Sequence, residues 1–424
     1  MNILILNQTW FADELRAMGH AVITCGTSHH LEHRLHGALH HIDGVLASLP
    51  GGFKPDRIVW LDNSAPVTIM GLEDCDIPII FYSVDTHHHY DLHSHLSECF
   101  DHVLIAQKDF SEHFEKSQTP RSWMPLWAPE YVEKSSEKRY GATFVGTMNR
   151  RLNPARVDFF EALGAIIPIH VTQGAYSTIF PHAEIIVNQT VKGDLNFRVF
   201  ETMMCGALLL TERTGNGLFD IFEDGKHLVT YTPRDPQDAA DKVTQMLGNT
   251  PIMRSIAEAG RAEILAKHTM SHRARDLEAI LTSLKKRPSS PRRHYAALMN
   301  ASLLSVLSET VSTALSAELS IVSLNLGKQA LRSPIMPTTV ESQHVIKACL
   351  RHDRLTNTSL GAQLLEDFAH AFPDNYLFSL LKVRALLNRG KRLEAEKFAQ
   401  SVFTHTPEQV FSTAEEAVSM IMAE

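Results

Sequence analysis

The chain has 424 residues, enough for two or three domains each with its own core. Forty lysines and arginines against forty-eight aspartates and glutamates leave a net charge of −8, so charge supplies no broad grip on nucleic acid or an anionic membrane. Cys25, Cys75, Cys99, Cys205 and Cys349 stand singly without CxxC spacing, which argues against a zinc ribbon or disulfide framework and for reduced thiols in the cytoplasm.

The opening Met1-Asn2-Ile3-Leu4-Ile5-Leu6 lacks a basic n-region and is too short for a signal peptide. No apolar run approaches membrane-spanning length, so this stretch is expected to be a buried first strand of a chain with no transmembrane segment. Apolar runs follow at residues 21–24, 57–61, 77–84, 102–106 and 123–127, with amphipathic segments at 11–18, 31–49 and 108–116 between them. Continuously apolar strands separated by helices predict a parallel sheet covered on both faces, here a Rossmann-like domain over residues 1–130. Within 31–49, His33, His36 and His40, with His29 before them, recur at helical spacing opposite Leu31, Leu35, Leu39 and Ile42, as the polar face of a helix would.

Residues 128–139, with Pro129 and mixed charges, read as a link. The alternation then resumes: strand 142–145, helix 154–163, strands 165–170 and 184–187, a short apolar helix stopping at Cys205-Gly206, strands 207–211 and 227–231, and helices from Pro236, Pro251 and Met270. A second Rossmann-like domain over 131–285 is the expectation. Lys285-Lys286-Arg287-Pro288-Ser289-Ser290-Pro291-Arg292-Arg293 is basic and proline-containing, which predicts an exposed linker over 286–293. Residues 294–424 carry helical patterns only, giving an α/β, α/β, all-α order. Residues 375–407, with Gly390 at a helix–helix turn, Ala395 and Ala399 on the second helix and a terminating Pro407, resemble a tetratricopeptide repeat, and 350–373 a poorer copy. Helical repeats make docking surfaces, so a protein partner or a second copy of the chain is expected there.

The chemistry concentrates at the short apolar helix that begins near Asn196. A helix N-terminus presents unpaired N–H groups and partial positive charge, suited to a diphosphate. Asp194 or Asn196 is placed to cap it, Arg198 to add a forked cationic donor, and Glu201, one turn on, to accept from a ribose diol. Gly215 and Gly217 allow backbone N–H groups close to a ligand at the C-terminal edge of the sheet. A surface Arg–Glu pair is the plain alternative, but Phe197, Val199, Phe200, Met203 and Met204 make this helix apolar on nearly every side.

Asn196-Phe197-Arg198-Val199-Phe200-Glu201, Cys205-Gly206, Gly217-Leu218 and Phe222-Glu223-Asp224-Gly225-Lys226-His227 resemble the donor-binding half of GT-B glycosyltransferases, most nearly the spore-maturation CgeB-like group related to glycosyltransferase family 4. Phe144-Val145-Gly146-Thr147, Trp127-Ala128-Pro129 and Ile186-Val187-Asn188 agree with it. The resemblance implies transfer from a nucleoside-diphosphate sugar, a UDP-sugar first, to a glycan or protein acceptor, with no metal required. It makes Arg198 the diphosphate ligand and Glu201 the ribose ligand, with Gly146, Gly217 and Leu218 lining the donor pocket, while Asn196 is the donor-binding candidate that the helix N-terminus itself supplies. It departs at Gly193, where many family 4 members carry an acid that touches the donor sugar; Asp194 is the neighbouring substitute. Lys192, Arg150 and Arg151 are further candidates for the leaving phosphate.

The segment 85–95, Asp-Thr-His-His-His-Tyr-Asp-Leu-His-Ser-His, lies at the end of the strand 77–84 and nominates Asp85, His87 and His88 as groups that orient or deprotonate an acceptor hydroxyl. The same cluster admits a metal-dependent hydrolase, although no HExxH motif is present and neighbouring histidines of an extended segment face opposite ways. The two-domain architecture also admits a sugar-nucleotide epimerase, and a non-catalytic nucleotide- or protein-binding protein.

Overall fold

The computed structural model describes residues 1–129, 131–309 and 312–403; Pro407 and the remainder of the predicted last repeat lie outside the described residues. The first sheet has seven parallel strands, ordered from one edge His33–Arg34, Ala21–Gly26, Asn2–Leu6, Arg57–Leu61, Ile79–Ser83, His102–Ile105 and Arg121–Trp123. The second has five, ordered Ile169–Thr172, Tyr140–Val145, Ala183–Asn188, Leu208–Glu212 and Val229–Tyr231. Leu208, Leu209 and Leu210 are fully buried, as both faces of a helix-covered parallel sheet require. Both sheets are doubly wound, so their ligand edges are the C-terminal ends of the strands.

The chain returns to the first domain before it leaves the second. Helix Met270–Ser283 packs on Ala12–Ala17, Thr269 pairs its backbone with Ala128, and Arg273 Nε donates to the Pro125 carbonyl at 2.8 Å. Leu277 and Leu281 share one apolar cluster with Ile3, Leu15 and Trp127. No helix among the described residues is long and apolar enough to cross a membrane.

Five local expectations are corrected. The 31–49 segment is not one helix: His33–Arg34 and His40–His41 are short strands, and only Ile42–Ser48 is helical. Glu32 ties this segment to its neighbour strand by accepting from Thr24 N and Oγ1, and Gly37 turns at φ 112°, so tertiary pairing overrides the helical spacing of the histidines. Residues 165–166 belong to helix Pro154–Ile166, and the following strand is Ile169–Thr172. The strand placed at 123–127 is Arg121–Trp123, and the histidine-rich segment is a helix, Thr86–Leu96, bent at His89.

The fifth correction is the largest. In the basic segment 285–293, Pro288, Ser289 and Pro291 are exposed, but Lys286, Arg287, Arg292 and Arg293 turn inward and fasten the first domain to the helical region. Arg293 is fully buried; its Nη1 donates to Asp101 Oδ1 at 3.0 Å, and the rest of the guanidinium to the carbonyls of Glu73, Cys99 and Leu72. Lys286 reaches Asp101 at 3.3 Å, while Arg287 and Arg292 reach Glu98 at 3.1 and 3.5 Å. Around this clamp, Tyr295, Leu298 and Phe368 share a cluster with Ile58, Trp60 and Phe100 of the first domain. Farther on, Tyr376–Asn388 and Arg392–Phe403 form a helical hairpin that turns at Gly390 with φ 71° and packs Ala395 and Ala399 against Val383.

Three buried imidazoles set the acid stability. Burial holds His87, His93 and His268 at a pKa of about 4. A folded value below the unfolded one favours the neutral ring, so this stability is complete above about pH 6.5 and is lost as pH falls towards 4. Each ring is expected to forfeit roughly 3 kcal/mol across that window, at about 1.4 kcal/mol per pH unit. Asp194 acts in the opposite sense: burial raises it to about 6, so its cost is relieved over part of the same range. Three rings outweigh this carboxyl and that of Glu73, which burial also raises, and the urea midpoint is expected to fall between pH 7 and 4.5; a midpoint that rises on acidification would contradict this.

Candidate active site

The site is assembled at the C-terminal edge of the second sheet. Strand Ala183–Asn188 ends in Asn188, whose Oδ1 accepts from Arg198 Nη1 at 2.7 Å and whose Nδ2 donates to Thr211 Oγ1 at 3.0 Å. Arg198 also donates through Nε and Nη2 to the Val145 carbonyl, at 3.3 and 3.0 Å. These are neutral acceptors. Its guanidinium lies 4.8 Å from the Phe144 ring centroid. A Cβ at Gly146 would sit 2.8 Å from Phe144 Cζ and 2.9 Å from Arg198 Nη2, so glycine is what leaves the cation room.

Arg156, which sequence reasoning missed, faces the same ring at 5.5 Å and donates to Gln189 Oε1 at 3.1 Å. Burial, and then the charge of Arg156, lowers the Arg198 pKa to about 10; burial likewise lowers Arg156. Both remain cations at neutral pH. Two guanidiniums beside one ring and a helix N-terminus form an anion-attracting corner. Arg150 instead pairs with Asp158 and with Glu161 on the exposed face of Pro154–Ile166. Arg151 is an exposed residue.

Neither expected cap acts as one. Asn196 stands at the N-cap of Phe197–Met204, yet its side chain accepts nothing from the helix: Nδ2 points to Asn188 and Asp194, and the buried Oδ1 has no partner. Asp194 Oδ1 accepts from Val191 N at 2.6 Å, closing its own loop. Glu201 is half-buried one turn after Arg198, and its charge is felt by that arginine.

The loops after both sheets meet across the cleft. Gln107 forms a reciprocal amide pair with Leu195, and Asp109 one with Asn216. Lys108 pairs with Asp220 at 2.9 Å. This accounts for two glycines: a Cβ at Gly215 would lie 2.1 Å from Asp109 Oδ2, and one at Gly217 2.2 Å from Trp123. Asn216 and Gly217 also hold positive φ. Leu218 is fully buried directly after them. From the first domain, Trp10 and Trp127 pack on Phe197, at ring distances of 5.8 and 5.2 Å.

The candidates Asp85, His87 and His88 separate. His87 is buried, with Nε2 4.0 Å from Asp194 Oδ2 of the second domain, while Lys192 Nζ donates to the His87 carbonyl at 3.2 Å. His88 is exposed and its ring lies 4.1 Å from that of His87. Asp85 is bonded by Ser64, and its backbone N–H is held by Asp62 Oδ2 at 2.9 Å; Asp62, also unforeseen, accepts from Val84 N–H as well. His93 turns inward to Ser83 Oγ at 2.8 Å, and His95 to Glu341 of the helical region at 2.8 Å. Among the described residues no three His, Cys, Asp or Glu side chains are grouped to hold a metal ion. His182 Nδ1 contacts the Glu137 carbonyl at 2.9 Å and His170 stacks on Tyr140, both away from Arg198.

Residues 142–279 match the model of a family described as glycosyl transferase-like, a segment that includes Gly146, Arg156, Asp194, Arg198, Glu201 and Gly217. The fold is that of HepE from Anabaena, whose structure in complex with UDP and glucose superposes with a TM-score of 0.52 at 13% identity over 67% of this chain and 100% of that one. Sucrose-phosphate synthase from Thermosynechococcus elongatus superposes with a TM-score of 0.52 at 12% identity, over 67% of this chain and 98% of that one. No curated protein matches the chain.

Proposed function

We propose that this chain, of GT-B fold and with a glycosyl transferase-like second domain, moves a sugar from a nucleoside-diphosphate sugar to an acceptor hydroxyl. The observation that carries the reading is the convergence of Arg156 and Arg198 on Phe144, beside the start of Phe197–Met204. Two cations that repel one another beside a helix N-terminus gain most from a ligand with two linked phosphates. As the glycosidic bond to the diphosphate breaks, negative charge grows on the leaving oxygens, and these fixed donors stabilise it without reorganising. Glu201 then serves the ribose and Gly146 clears the approach.

In the same proposal His87 and Asp194 border the transferred sugar from opposite domains. At neutral pH His87 is uncharged and able to accept a proton, while Asp194, with a pKa of about 6, is ionised. Asp194 thus takes the place of the acid missing at Gly193. HepE has been observed with UDP and with UDP-glucose, which supports a UDP-sugar as donor. The acceptor, a glycan or a protein, enters on the first-domain side, and the helical region adds a surface for a protein partner. The five unpaired, buried cysteines support a cytoplasmic location.

Calorimetry against UDP, GDP, ADP, dTDP and CMP, each with and without EDTA, tests this. Saturable binding of one nucleoside diphosphate, unchanged by EDTA, is expected. Absence of nucleotide binding together with a thermal transition lowered by EDTA would overturn it. Product analysis with the matching sugar nucleotide separates transfer, which needs an acceptor, from epimerisation, which does not.

A further inference from the structure

The second domain has a charged cavity of about 350 Å³ on the opposite side from Arg198. It opens where Tyr140–Val145 and Ala183–Asn188 begin. The six residues of the latter strand separate it from Asn188 by roughly 16–20 Å at about 3.3 Å per residue. Lys134, Lys138, Arg254 and Arg261 line it, against two carboxylates, Glu184 and Glu258.

The cations are poorly neutralised. Lys134 stands 3.8 Å from Glu258 in an exposed pair that contributes little. Lys138 Nζ spends two N–H groups on the Pro181 and Ala183 carbonyls, both at 2.9 Å, and keeps a third. Burial, followed among the lowering causes by the charges of Arg254 and Lys134, holds that ammonium below its usual range in spite of Glu184. Arg261 is 9% exposed; Nη2 donates to the Val132 carbonyl at 3.0 Å and the guanidinium lies 5.4 Å from the Tyr131 ring centroid, while the buried Nη1 has no hydrogen-bond partner. The carbonyl end of Phe197–Met204 lies nearby, but a helix C-terminus is worth about half an elementary charge and leaves most of this positive charge unanswered.

We propose that this cavity is a second anion site, which takes a phosphate group as inorganic phosphate or as the monoester of a small metabolite. The free Lys138 proton meets a phosphate oxygen, Lys134 and Arg254 close over it, Arg261 adds its charge from the buried wall, and the hydroxyls of Ser135 and Ser136 border the cavity. Its volume is in the range of sites for small organic ligands, so a monoester of sugar size fits.

The test is calorimetric titration of the full chain carrying Arg198→Ala, so that the diphosphate corner does not take the probe, with inorganic phosphate and with glucose 6-phosphate. Saturable binding is expected, weakened roughly tenfold or more by adding Lys134→Glu and Arg254→Glu, both on the exposed face of the second domain. Tighter binding of the sugar phosphate supports a metabolite, and equal binding supports free phosphate. Binding that is absent, or present but indifferent to the two charge reversals in a chain with an unchanged unfolding midpoint, overturns the proposal. Because the site does not involve Arg198, failure of the donor reading leaves this test intact.

Discussion

Arg198→Ala is expected to weaken UDP binding by roughly 10- to 100-fold, the equivalent of about 1.5–3 kcal/mol for hydrogen bonds to a charged group. The loss in kcat/KM should be at least as large, because charge on the leaving diphosphate grows in the transition state. Arg198→Lys restores the charge without the fork and should recover only part of either quantity. A purely structural role predicts something else. In the ligand-free protein Arg198 touches the neutral oxygens of Asn188 and Val145, and Asn196 Nδ2 still reaches Asn188 Oδ1 at 3.3 Å. The unfolding midpoint of Arg198→Ala without nucleotide should therefore fall only modestly, since the Val145 carbonyl loses two donors while the repulsion from Arg156 is relieved. A variant that binds UDP as tightly as the parent, or one that loses binding only in step with its stability, would remove Arg198 from the donor site.

Both sheets were legible because a doubly buried parallel strand has to be apolar throughout, as Leu208 to Leu210 are. Arg198 was legible for the converse reason, since a cation on a helix otherwise apolar stands out. Arg156 was not: it follows a capping Asn153 on an ordinary amphipathic helix, and only the packing of that helix brings it over Phe144. Asp62 escaped notice because its role is to hold backbone N–H groups at 84 and 85, a contact between neighbouring strands that no local pattern announces. Gly215 and Gly217 drew attention as backbone for a ligand, and the structure adds a second demand on them, the close approach of Asp109 and Trp123 from the other domain. The histidines from 29 to 40 misled because helical spacing does not register the competing pull of a strand edge. Charge misled in the same way at 285–293: its acids, Glu98 and Asp101, lie far upstream, so a local reading finds cations without partners and assigns them to solvent.

That clamp makes the second strong prediction. Arg293→Ala is expected to destabilise the chain by about 3–5 kcal/mol, because it leaves Asp101 buried with one of its charged partners gone. Asp101 would keep Lys286 at 3.3 Å and the backbone N–H groups of Ile79 and Arg287, both at 2.8 Å, which places the loss at the lower end of that range. The three carbonyls that Arg293 serves, those of Glu73, Cys99 and Leu72, would lose their donor together, which pushes it upward. Removing both charges in Arg293→Met with Asp101→Asn should cost less than the two single changes combined, since neither charge is then left alone in the interior. Urea unfolding followed by tryptophan fluorescence measures the cycle, and Trp60 belongs to the apolar cluster that the clamp encloses. Limited proteolysis supplies the local readout: the single variant should become cleavable near 285–293 before the rest of the chain unfolds. Coupling below about 0.5 kcal/mol would mean that the Arg293–Asp101 pair adds nothing to the apolar contacts and the remaining ion pairs, such as His95 with Glu341, that hold the first domain to the helical region. Coupling of several kcal/mol would instead make them one mechanical unit, one that carries the helix Thr86–Leu96, and His87 with it, to the edge of the cleft.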